Sequence, residues 1–118
     1  MSFLFKRQQR LTPSASFKHV FQRGIRVRHS LFSCAFVYNE LTYSRIGIVI
    51  AKRNVKRAVA RNRIKRIARE VFRHNSVLKE INVDLIVVAY KGADQLDNCE
   101  VRECLEILLK KLQKRLEK

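Results

Sequence analysis

A chain of 118 residues with 47% hydrophobic content is long enough for one compact core and too short for two ordinary domains, so residues 1–118 are expected to form a single domain. Lys and Arg outnumber Asp and Glu 26 to 10, a formal charge of +16 that points to a polyanionic partner. No stretch approaches the roughly 18 to 20 apolar residues needed to span a bilayer, and the N-terminus lacks the apolar run of a signal peptide, so a soluble cytoplasmic protein without a membrane partner is expected.

Pro13 and the Ser14, Ser16 region open a short helix carrying Phe17, Val20 and Phe21 at i, i+3, i+4, with Gly24 placed to end it. Residues 31–38 (LFSCAFVY) and 45–51 (RIGIVIA) are β-rich runs; their link through Asn39 to Thr42 predicts an antiparallel hairpin. Residues 52–73 follow, with ten basic side chains and one acid. Periodicity decides between a disordered arm and a helix. Ala60, Ile64, Ile67, Ala68, Val71 and Phe72 gather on one side at about 100° per residue, and Asn62, Arg63, Lys65, Arg66, Arg69 and Arg73 on the other. That is a helix with an apolar inner stripe and a cationic outer face. Residues 84–90 (DLIVVAY) read as a buried strand, with an exit turn at Lys91 to Gln95 around Gly92. Asp97 and Glu100 form a capping box for a last helix whose stripe is Val101, Leu105, Leu108, Leu109, Leu112 and Leu116. Its Lys110, Lys111, Lys114 and Lys118 read as a solvated face near the negative helix end.

Charge is divided unevenly along this order. Residues 1–78 carry 18 Lys and Arg against Glu40 and Glu70 alone, whereas residues 79–118 carry 8 basic and 8 acidic side chains. A metal-dependent nuclease needs clustered acidic ligands, which the basic part does not supply. His19, His29 and His74 have no metal-ligand spacing and lie in unrelated local contexts. Cys34, Cys99 and Cys104 are an odd number without a CxxC pair, so reduced thiols are expected. Cys99 and Cys104, five apart on a helix, project about 140° from one another and cannot chelate one ion together. No phosphate-cradling glycine loop or nucleophile motif occurs. No catalytic residue, metal ligand or side-chain-bound cofactor is therefore expected, and the chemistry belongs to a partner.

Lys52-Arg53-Asn54-Val55-Lys56-Arg57-Ala58-Val59, running into Arg61-Asn62-Arg63-Ile64-Lys65-Arg66 and Arg69-Glu70, resembles the RNR signature of bacterial ribonuclease P proteins. Leu11-Thr12-Pro13, Phe17 to Phe21, Arg45-Ile46-Gly47, the Asp84 to Ala89 strand and the closing amphipathic helix are similar to that family in order and spacing. The resemblance implies an α+β fold, an αβββαβα sandwich with a central sheet and a left-handed βαβ crossover, an exception to the usual handedness. It also implies a protein subunit of an endoribonuclease in which the RNA subunit, with Mg²⁺, removes the 5′ leader of precursor tRNA. The partners would be that catalytic RNA and precursor tRNA, with no obligate protein partner.

On this reading Lys56, Arg57, Arg61, Asn62, Arg63, Lys65, Arg66 and Arg69 bind RNA, because guanidinium forks and ammonium groups suit phosphates. Phe17, Phe21, Lys52 and Arg53 bind the single-stranded leader, in a cleft between the first helix and the sheet. Core packing is the competing role for the two phenylalanines. The family pattern often has an aromatic on the cleft face of the first long strand, where Ala35 stands here; Phe36 should face the other way by strand alternation. Charge pattern alone would also allow a ribosomal or chaperone-like RNA-binding protein without a tRNA-processing role.

Overall fold

The structure is a computed structural model and describes residues 20, 22–39, 43–75 and 81–116. The order of elements is β1 (Ile25–His29), β2 (Phe32–Tyr38), β3 (Arg45–Ile50), α1 (Ala58–His74), β4 (Val83–Ala89), a 3₁₀ turn (Ala93–Gln95) and α2 (Asn98–Leu116). The four strands form one sheet in the order β1-β2-β4-β3. β1 and β2 are antiparallel, β2 and β4 are antiparallel, and β3 and β4 are parallel, so β3, α1 and β4 make a βαβ unit in a mixed sheet. This is the α+β architecture expected.

The hairpin expected between residues 31–38 and 45–51 is not formed: β4 lies between β2 and β3. The physical reason is in β4 itself. Val83, Leu85, Val87 and Ala89 are buried against the helices and Ile86 against the opposite side, so β4 needs cover on both faces and ladder partners on both edges. Only a central place in the sheet supplies these. β1, a strand implied by the αβββαβα order, is not marked by the residue pattern because IRVRH carries two arginines; it pairs with β2 through a two-residue turn in which Ser30 has φ 53°. Tight hairpins require such a positive φ.

The main core lies between the sheet and the two long helices. Phe32, Cys34 and Phe36 of β2 and Ile46 of β3 meet Ile64, Ile67, Ala68, Val71 and Phe72 of α1, with Val101, Leu105, Leu108, Leu109 and Leu112 of α2. The two expected helical stripes thus face the core, with Ala60 only partly buried, and the Leu116 side chain lies outside the described residues. The capping box is present: Glu100 N donates to Asp97 Oδ1 at 2.8 Å, and Asp97 N to Glu100 Oε1 at 3.1 Å. Gly92 adopts φ 99° at the exit of β4, as the expected turn needs.

The basic helix starts later than the sequence pattern placed it. Residues 51–57 form a turn, and α1 begins at Ala58. Val55 is fully buried and holds this turn on the core, while Asn54 N and Val55 N both donate to Ala51 O.

On the opposite face of the sheet Val20 packs against Ala35 and Ile86, flanked by Val37, Val49 and Val88. Val20, Gln22 and Arg23 are helical and Gly24 ends that helix, its N–H donating to Val20 O at 2.7 Å. A Cβ at Gly24 would collide with the Val20 and Phe36 carbonyl oxygens, so the close approach of helix end to β2 requires glycine. Pro13, Ser14, Ser16, Phe17, Phe21, His19 and Glu40 lie outside the described residues.

Candidate nucleic-acid interface

The cationic face is assembled by the 51–57 turn and the outer side of α1. Lys52, Arg53, Lys56 and Arg57 are exposed on the turn, and Asn62 and Arg66 are exposed on the helix. Lys65 and Arg69 are half-buried beside them. Arg57 caps α1 without a side-chain hydrogen bond, and the first helical turn contains no acid. The positive end of the helix dipole and its unpaired amide donors therefore reinforce the surrounding cations instead of being neutralised. Backbone amides at such a terminus suit phosphate oxygens.

Two of the expected RNA-binding arginines also act within the protein. Arg61 Nη1 donates to Val55 O at 2.9 Å and to Lys56 O at 2.8 Å, which fixes the turn presenting Lys56 and Arg57. Arg63 Nη1 donates to Asn98 Oδ1 at 2.8 Å and its Nη2 to Asp94 O at 3.3 Å, tying α1 to the start of α2. Glu70 accepts from Arg102 Nη2 at 3.1 Å, so its charge is answered by a cation of α2. Among the described residues, no three His, Cys, Asp or Glu side chains gather as a metal site, and no helix is long and apolar enough to cross a membrane.

The sheet face opposite the helices bears a second feature that the sequence reading missed. Arg26 and Arg28 of β1 stand opposite Ala35 and Ser33 of β2 in register, and Ser33 stands opposite Val88 of β4. These residues and Tyr90 line a cavity of about 220 Å³. Arg28 Cζ lies 4.4 Å from the Tyr90 ring centroid, and the Tyr90 hydroxyl is hydrogen-bonded to Ser33 Oγ at 2.8 Å. The readable signal was the period-two spacing of Arg26 and Arg28, which sends both to one face. Ala35 is buried on this face and Phe36 on the other, as alternation required.

Comparison with known proteins matches residues 5–113 to the ribonuclease P family model. The chain belongs to the ribonuclease P protein family. It is 39% identical over 115 residues to the ribonuclease P protein component of Chromohalobacter salexigens, covering 97% of this chain and 89% of that relative. Its fold is similar to the ribonuclease P protein of Staphylococcus aureus, with TM-score 0.78, 31% identity, and coverage of 88% of this chain and 94% of that one. It is also similar to the ribonuclease P protein of Thermotoga maritima, with TM-score 0.74, 33% identity, and coverage of 86% and 96% respectively. The chain is accordingly a protein component of ribonuclease P, the endoribonuclease of tRNA 5′ processing, and the ribosomal or chaperone-like alternative is not favoured.

Proposed function

We propose that this subunit holds the ribonuclease P RNA with the 51–57 turn and the outer face of α1, while the RNA, with Mg²⁺, performs hydrolysis. Lys56, Arg57, Arg61, Asn62, Arg63, Lys65, Arg66 and Arg69 make up the RNA-binding surface. The observation that carries this reading is the uncapped, acid-free start of α1 surrounded by exposed Lys52, Arg53, Lys56 and Arg57. Structured RNA presents closely spaced phosphates, and this arrangement offers them point charges, guanidinium forks and backbone amides together.

The single-stranded 5′ leader of precursor tRNA lies on the sheet face that carries Ala35, entered past Lys52 and Arg53. Ile50 of β3 pairs with Ala89 of β4, so the turn leaves the sheet at the end where Tyr90 stands. Phe17 and Phe21 complete the leader site in this reading; they lie outside the described residues.

The test is cleavage of precursor tRNA at low Mg²⁺ by the ribonuclease P RNA with and without this chain. Marked stimulation by the chain, and no cleavage by the RNA-free protein, is the expected result. Cleavage by the purified protein alone would overturn the division of labour. Phe17→Ala or Phe21→Ala should weaken binding of precursor tRNA more than of mature tRNA.

A further inference from the structure

We propose that the Arg28–Tyr90 pair is a stacking platform that takes one unpaired nucleobase of the precursor leader. The inference rests on the leader reading above and adds to it a recognition element built from β1 and the end of β4. Three observations carry it. The guanidinium lies over the phenol ring at 4.4 Å, and the ring is fixed from its other end by the 2.8 Å Ser33 hydrogen bond. Arg28 is itself exposed, and among the described residues it has no carboxylate partner. The pair lines the cavity of about 220 Å³, together with Ser33, Ala35 and Val88.

A guanidinium over an aromatic ring is a planar, weakly hydrated cation, and on an exposed arginine that plane is a surface on which any nucleobase can stack. Lysine could supply the charge but not the plane. Arg28 is anchored at its backbone as well, since Lys111 Nζ donates to Arg28 O at 3.0 Å, joining this strand to α2. The platform therefore does not need to be ordered when RNA arrives, which lowers the entropic cost of binding. Its position explains how a leader site can operate with alanine at position 35: the stacking surface comes from the neighbouring strand and from Tyr90. Bases inside a duplex cannot use it, because both of their faces are already stacked on neighbouring bases.

The experiment uses the reconstituted holoenzyme and precursor tRNAs carrying 2-aminopurine at single leader positions, with wild type, Arg28→Lys and Tyr90→Leu. In the wild type one leader position should be quenched on binding. Arg28→Lys should lose most of that quenching and bind precursor about five- to 100-fold more weakly, with mature tRNA affinity and the slope of affinity against salt unchanged. Tyr90→Leu should behave likewise while retaining its thermal midpoint within a few degrees. Quenching and precursor affinity equal to wild type in Arg28→Lys would overturn the platform and leave the leader reading intact. Equal wild-type affinity for precursor and mature tRNA would overturn the leader reading itself, and the platform with it.

Discussion

Arg45 and Asp84, neighbours across the parallel β3–β4 ladder, form a two-pronged ion pair: Nε to Oδ1 at 2.8 Å and Nη2 to Oδ2 at 2.6 Å. Asn39 Nδ2 adds a 2.9 Å bond to Oδ1, so one carboxylate joins the end of β2, the start of β4 and the start of β3. The hydrogen bond to Asp84 is the main reason the Arg45 guanidinium is held above its ordinary pKa. This cluster stands at the end of the sheet away from the basic turn.

Removing the cation should therefore test the sheet order directly. Asp84 retains 8% side-chain exposure and Arg45 28%, so Arg45→Ala would leave a mostly buried carboxylate without its charge partner. Breaking a fully buried pair costs about 3 to 5 kcal/mol, and solvent at the arginine side reduces this to about 2 to 3 kcal/mol. Urea unfolding should show that loss. A loss below about 1 kcal/mol would mean that water supports the carboxylate and that the pair does not secure the strand.

The proposed RNA-binding face predicts a salt signature. Arg66→Ala should flatten the slope of log affinity for ribonuclease P RNA against log salt by roughly 0.7 to 0.9, the effect of one lost phosphate contact. Arg102→Ala should leave the slope unchanged, since Arg102 faces Glu70 across α1 and α2. Arg66 is exposed, so the stability change should stay near 0.5 kcal/mol or less. Equal slopes for both variants and wild type would move the RNA elsewhere.

Glu70 offers a check on where the chemistry resides. Its pair with Arg102 is open to solvent, with side-chain exposures of 35% and 45%, and should contribute about 0 to 1 kcal/mol. Glu70→Gln should leave the single-turnover cleavage rate of the holoenzyme within a few-fold, and Glu40→Gln likewise. A large drop with RNA affinity intact would assign the protein an acid or a metal ligand.

The cysteines should separate by reactivity and by pH. Burial pushes the Cys34 thiol up to about 12, whereas Cys99 is exposed. Alkylation of the folded protein should modify Cys99 first and reach Cys34 only on unfolding. Because the unfolded thiol titrates near 8.5, the stabilising preference for the neutral form is present in full below that pH and is lost as pH rises toward 12. The fall in urea midpoint between pH 8 and pH 10 should accordingly be smaller in Cys34→Ala than in wild type. An identical fall in both would place the thiol in contact with solvent.

The sequence by itself determined the two long helices and their buried stripes, the capping box, the turn at Gly92, and the concentration of charge in the RNR segment. Each of these depends on residues within a few turns of one another, where periodicity and local hydrogen bonding suffice. The alternation that buries Phe36 with the helices and Ala35 on the other face is local for the same reason. Tertiary structure decided what depends on distant partners. β4 entered between β2 and β3 because its two buried faces and two open edges outweighed the short link between them. The folded neighbourhood also set Arg61 on the Val55 and Lys56 carbonyls, Arg63 on the start of α2, and Arg28 over Tyr90. A guanidinium can meet a phosphate, a carbonyl or a ring equally well, so the residue type leaves the choice open and only the position of the surrounding chain selects among them.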